Sequence, residues 1–297
     1  MPECRLPFRP EGGDVVLDTD TFNEVDDQFA LAYLLKHAPR WNTRAILAAP
    51  FFNVNSASPA DGMEKSYHEI LHLLDLMDHP AEGLVFRGSD RYLPDENTPV
   101  DSPAARRLAE LARAYTPEKP LYVVAIGAIT NVASALLLDP SVGERITVVW
   151  LGGHALHWGK NDEFNLRQDV AAARVVFRSS APLVLLPCQG VVSAFTVSDA
   201  DIDRYFVGKN RLCDYLAQHV KRTVAAYTAP PWSRVIWDVT AVAWLCSDQF
   251  TRDRVIPAPV PEYDDRWADD PAGKPMRYVY GIHRDLLFRD LVRKLSE

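Results

Sequence analysis

Apolar and polar positions along the chain follow two different periods. Short, nearly continuous apolar runs at 15–18, 44–49, 121–126, 146–151 and 183–186, each bounded by Gly, Pro, Asn or Asp, predict buried strands. Segments at 26–37, 64–77, 104–115, 131–138 and 170–178, most of them with apolar residues spaced i, i+3, i+4, i+7, predict helices between those strands. Strand and helix in alternation predict an α/β fold with an open, mostly parallel, Rossmann-like sheet flanked by helices. Beyond residue 197 the pattern predicts helices at 201–206, 211–227, 239–246 and 283–294, interrupted by a loop at 257–275 that holds five prolines and many acids. No repeat or low-complexity linker divides the chain. It reads as one domain over 1–297, with a flexible segment at 1–13 and a helical C-terminal third covering the carboxyl edge of the sheet.

Composition narrows the function classes. A chain of 297 residues, 47% hydrophobic and 24% charged, buries about three quarters of its surface on folding, enough for a deep pocket without covalent staples. Net charge is −8 and no Lys/Arg run exceeds two residues, which argues against nucleic acid as a partner and suits a bound cation. Cys4, Cys188, Cys213 and Cys246 are scattered without metal-finger spacing, so free thiols in a reducing compartment are expected. No apolar run approaches a membrane span and no secretion signal opens the chain, so a cytoplasmic protein without membrane contact is expected.

The densest chemistry lies at residues 14–35, DVVLDTDTFNEVDDQFALAYLL. An apolar strand delivers Asp18 and Asp20, which share a face at i and i+2, and a helix then opens with Asp26 and Asp27, where its dipole favours carboxylates. Four acids at the carboxyl end of a first strand need a hard cation, Ca²⁺ or Mg²⁺, to relieve their repulsion; capping a helix needs only one of them. The D-x-D-x-T of Asp18, Asp20 and Thr21 also resembles the first motif of haloacid dehalogenase phosphatases. The late acidic pairs that such a site needs, Asp264/Asp265 and Asp269/Asp270, fall in the Pro-rich loop. A second formal motif, His68-Glu69-Ile70-Leu71-His72, matches the zinc-peptidase HExxH. Its helix buries the stripe Tyr67, Ile70, Leu71, Leu74 and Met77, which leaves His68 and His72 on a solvated flank with no third ligand downstream.

Three further segments point to the same crevice as the Asp run. LYVVAIGAITNVASALL (121–137) is a strand, a Gly turn and a helix, so the Ile126 carbonyl emerges at a strand end; WLGGHALHWGKNDEFNLRQD (150–169) brings Glu163, Asn165 and Asp169; and IWDVTAVAWL (236–245) starts a helix at Asp238. In order along nearly the whole chain, the Asp run, AAPFFN to Asn53, GAITN at 127–131, the Gly pair at 152–153, EFN at 163–165 and the Asp238 helix resemble the inosine-uridine preferring nucleoside hydrolases.

That resemblance implies an α/β nucleoside hydrolase fold, a tightly held Ca²⁺ at the strand ends, a place in nucleoside salvage and a homo-oligomer, dimer or tetramer. It implies hydrolysis of the N-glycosidic bond of ribonucleosides, with Asp20 as general base and metal ligand, Asp27 and Asp238 as carboxylate ligands and Ile126 as carbonyl ligand. Asp26, Asn53, Glu163 and Asn165 resemble the ribose-binding set. Ca²⁺ takes six to eight oxygens, so these ligands leave room for water and a ribose diol. Two departures stand out. Thr21 to Glu24 replaces the family's Pro-Gly and is two residues longer, and Trp237 stands where many members carry a His associated with the leaving base. His157, Tyr227 and Trp232 are the candidate base contacts in its place. The alternative on the same scaffold is a catalytically silent nucleoside- or sugar-binding protein; the presence of all four ligand positions favours an enzyme.

Overall fold

A computed structural model describes residues 6–297. Cys4 lies outside them. In chain order the elements are β1 (Gly13–Thr19), α1 (Asp27–Leu35), β2 (Trp41–Ala48), α2 (Pro59–Leu76), β3 (Val85–Arg87), α3 (Pro103–Ala112), β4 (Leu121–Ala125), α4 (Thr130–Leu138), β5 (Ile146–Leu151), α5 (Phe164–Gln168), α6 (Val170–Arg178) and β6 (Leu183–Leu186). There follow β7 (Thr196–Ser198), α7 (Asp199–Tyr205), α8 (Arg211–Ala225), β8 (Ser233–Val235), α9 (Val239–Cys246), β9 (Thr251–Pro257), β10 (Val260–Glu262), β11 (Arg266–Ala268), β12 (Pro275–Ile282) and α10 (Arg284–Ser296).

The main sheet runs β3-β2-β1-β4-β5-β6-β12-β9, parallel except for the β12–β9 pair. Strand order therefore reverses between β1 and β4, and the crevice outside the carboxyl ends of those two strands is where an open α/β sheet receives its ligand. Alternate residues of β1 feed opposite faces: Val15 and Leu17 join one core with α1 and α9, and Val16 joins the other with α3, α4 and α6. Every residue of α1 and of α9 is buried, and apart from Asp27 and Gln28 of α1 and Thr240 of α9 both helices are hydrophobic all round, as buried helices are. The two pack against each other.

The C-terminal third differs from expectation. Besides α7 to α10 it supplies two strands to the main sheet, and the 257–275 loop contains the β10–β11 hairpin. The reason is that β9, TRDRVIP, is an edge strand with mostly part-exposed or exposed side chains, so it carries no apolar run to read. Residues 1–5 of the segment expected to be flexible lie outside the described residues. The stretch that follows is bonded to the sheet: the Tyr122 hydroxyl donates to the Phe8 carbonyl at 3.0 Å, and Arg9 donates to Thr251 at 2.9 Å and Asp253 at 3.2 Å.

Candidate active site

β1 ends in Asp18 and Thr19, and the chain turns through Asp20 toward α1. Asp18 is fully buried; one carboxylate oxygen accepts from Asn131 Nδ2 at 2.8 Å and the other has no partner. Burial pushes its pKa up to about 7. Asp20 is also fully buried, and neither of its carboxylate oxygens meets a donor. Burial first, then the charges of Asp27 and Asp26, push its pKa well up. Gly127 makes this possible, because a Cβ there would lie 3.0 Å from the Asp20 carboxyl carbon.

The helix pair completes the cluster. Because α1 packs on α9, their first residues meet, and ligand oxygens of Asp26, Asp27 and Asp238 all lie within 4.8 Å of one another. Among the described residues this is the one such group of three. Asp27 accepts from the Thr19 hydroxyl at 2.5 Å. Burial and the Asp26 charge nevertheless hold its pKa near 8; burial and Glu24 hold that of Asp26 near 6, and burial with both neighbours pushes Asp238 well up. Desolvated carboxylates without cationic partners cost several kcal/mol each, so this constellation fits a divalent cation. The donors are all hard oxygens, with the orphaned atoms of Asp20 beside them. The tightest trio contains Asp26, whereas the expected ligand set has Asp20 in its place.

A cavity of about 180 Å³ opens beside the cluster and is lined by Asp26, Ile126, Glu163, Asn165, Trp237 and Asp238 among others. Asn165 Nδ2 donates to the carbonyls of Ile126 at 3.2 Å and Leu151 at 3.1 Å, which ties together the ends of β4 and β5. Glu163 accepts from the backbone N–H groups of Gly153, Asn165 and Leu166 at 2.8 to 2.9 Å and so organises the turn after β5. Asn53 stands apart from the lining; its Nδ2 donates to Asn23 at 2.6 Å, so it braces the Thr21–Glu24 loop. That loop is further held by Gln28 Nε2, which donates to the Thr21 carbonyl at 2.7 Å, and by the Glu24–Arg234 ion pair. It brings Asn23 and Glu24 into the cavity wall. Sequence reasoning did not single out these two, nor His154 and Gln189, which also line the cavity. No side-chain pattern marks them, because their position depends on how the loops fold back.

The proposed base contacts are placed elsewhere. Tyr227 is 77% exposed, His157 is exposed beside Gly190, and Trp232 packs against the core cluster, so none lines the cavity. Their segments are loops whose path only long-range packing decides. His68 and His72 are exposed on α2, while Glu69 is buried and accepts from the Tyr215 hydroxyl. A larger cavity of about 660 Å³ opens between α6 and residues 258–274 and contains none of these acids; there Lys274 caps α6 by donating to the carbonyls of Val176, Ser179 and Ala181.

Residues 15–273 match the family model described as inosine-uridine preferring nucleoside hydrolase. The chain belongs to this family. A curated relative, the pyrimidine-specific ribonucleoside hydrolase RihA of Shewanella sp. (strain MR-7), is 27% identical over 253 residues, covering 78% of this chain and 77% of the relative. Among solved structures, the purine-preferring ribonucleoside hydrolase from Gardnerella vaginalis superposes with a TM-score of 0.77 at 18% identity, over 95% of this chain and 98% of that one. The plant nucleoside hydrolase PpNRh1 does so at 0.75 and 17%, over 97% and 99%. Membership in a family of N-glycosidases makes the carboxylate crevice the candidate active site, and neither the zinc-peptidase nor the phosphatase reading has support. Among the described residues no helix is long and apolar enough to cross a membrane.

Proposed function

We propose that this member of the family hydrolyses the N-glycosidic bond of ribonucleosides with Ca²⁺ as its cofactor, the whole chain acting as one domain. The observation that supports this most directly is Asp20, buried with both carboxylate oxygens unpartnered beside three further acids at the switch point of the sheet. Asp20, Asp27, Asp238 and the Ile126 carbonyl would hold the ion. Bound there, Ca²⁺ supplies charge relief to the acids, oxygen coordination for a ribose diol and a lowered pKa for water.

The chain's own groups carry the remaining work. Asp20 accepts a proton from the attacking water, whose oxygen bonds to C1′ as the C1′–N bond breaks and its electron pair moves onto the base. The negative charge of the cluster favours the ribosyl cation that develops between those events. Asp26 and Asn165 face the cavity and hold sugar hydroxyls, which fixes the ring for attack. Glu163, whose oxygens already serve three backbone donors, shapes this wall.

The test is turnover of inosine and uridine by the wild type and by Asp20→Asn. General-base catalysis contributes about 10² to 10⁴ in rate, so the variant is expected to lose at least that much. Activity within threefold of wild type in Asp20→Asn would refute the mechanism. A wild type inactive on every ribonucleoside would leave a nucleoside-binding protein.

A further inference from the structure

The position that carries a leaving-base His in many family members is Trp237 here, and indole N–H is a poor proton source. The cavity nevertheless contains an imidazole. His154 lies one residue past Gly153, whose N–H is bonded to Glu163, and lines the same cavity as Asp26, Asn165 and Trp237. Its backbone is fixed on both sides: the N–H donates to Asn161 Oδ1 at 2.7 Å, and the carbonyl accepts from Trp267 Nε1 at 2.9 Å. The ring is fixed too. The Gln189 backbone N–H donates to Nδ1 at 3.3 Å, which leaves the proton on Nε2, and Nε2 faces Asp162 at 3.7 Å, beyond hydrogen-bond reach. The side chain is 12% exposed. His154 is thus a pre-oriented N–H donor with no acceptor of its own, and burial, outweighing the nearby Asp162 charge, holds its pKa below the ordinary value and the ring neutral.

We propose that His154 Nε2–H donates a hydrogen bond to the departing nucleobase; this rests on the hydrolase reading above. The acceptor is a carbonyl oxygen or ring nitrogen adjacent to the glycosidic nitrogen, which pyrimidines and purines both offer. As the C1′–N bond breaks, its electron pair stays on the base, and the hydrogen bond from Nε2 strengthens as that charge grows. The base then takes its proton from solvent, and Asp20 returns to solvent the proton it received from water, so the cycle closes with His154 unchanged. Trp237, on the same wall, offers an apolar face for the base to stack on.

The experiment compares kcat/KM for uridine, inosine and p-nitrophenyl riboside in the wild type, His154→Ala and His154→Gln. A donor acting on charge that develops in the transition state is worth about 10²-fold or more. His154→Ala should therefore lose about that factor on uridine and inosine but under tenfold on the nitrophenyl riboside, whose leaving group is stable as an anion. His154→Gln, which retains an N–H donor, should recover part of the loss. An equal loss on all three substrates, or uridine and inosine turnover within twofold of wild type in His154→Ala, would overturn the assignment and leave the hydrolase reading standing. A wild type that cleaves none of the three would overturn both. The variants keep the backbone bonds to Asn161 and Trp267, and an unchanged circular dichroism melt confirms that they fold.

Discussion

Removing divalent cations should make this protein less stable as pH rises, and calcium should offset part of that loss. Ligand oxygens of Asp26, Asp27 and Asp238 lie within 4.8 Å of one another. At that separation and an effective dielectric of about 20, each pair of full charges repels by roughly 3.5 kcal/mol. Three fully charged acids would then cost roughly 10 kcal/mol, comparable to the whole stability of an ordinary protein. The metal-free fold avoids this by holding protons, with Asp26 near 6, Asp27 near 8 and Asp238 raised, through burial and mutual repulsion. These values lie above the unfolded value of 3.8, so the folded state binds more protons than the unfolded one. The associated stability is complete below about pH 4 and is lost as pH climbs through about 6 and then about 8. Calcium at a hundred times its Kd restores about 2.7 kcal/mol, or roughly 4 °C in Tm for a chain of this length. Thermal melts in chelator and in excess CaCl₂, from about pH 5 to about pH 8.5, measure both effects. The calcium increment should widen toward high pH, where fewer protons compete for the carboxylates. Asp27→Asn should flatten the slope in chelator and shrink the increment. A chelated protein whose Tm rises over this range, or a calcium increment independent of pH, would refute the reasoning.

Glu163→Ala leaves three buried N–H groups without an acceptor, at about 1–3 kcal/mol each. Urea unfolding should show a loss of several kcal/mol, and a loss below about 1 kcal/mol would contradict that role. Gly127→Ala places a methyl 3.0 Å from the Asp20 carboxyl carbon, so kcat on inosine should fall at least tenfold while circular dichroism stays native; unaltered kcat would show that Asp20 tolerates displacement. His68→Ala and His72→Ala remove exposed side chains and should change stability by no more than about 0.5 kcal/mol; metal analysis of the wild type should find no stoichiometric zinc, and its presence would revive the peptidase motif.

Local pattern was enough for the elements that are buried and regular. The strands expected at 15–18, 146–151 and 183–186 and the helices at 170–178 and 239–246 appear within a few residues of those bounds, because a strand buried on both faces, or a helix with an apolar stripe, must write its burial into consecutive residues. The acids at 18, 20, 26, 27 and 238 were legible for a related reason. Asp18 lies near the end of one strand and three more acids follow it, and Asp238 precedes one fully buried helix, so their spacing along the chain survives folding.

Only the tertiary structure decided the rest. β9 and β12 escape a local reading because an edge strand exposes much of its length and β12 begins at a proline. The meeting of Asp238 with Asp26 and Asp27 depends on two fully buried helices packing at their first turns, a contact across more than two hundred residues of chain. Asn53 was expected at the sugar and braces the Thr21–Glu24 loop; His157 was expected at the base, and His154, three residues earlier, is the imidazole in the cavity wall. Loop side chains such as these have no period to betray their direction. Which of them faces a cavity is fixed by backbone hydrogen bonds to distant partners, here Asn161, Gln189 and Trp267 around His154, and those partners are neighbours only once the chain has folded.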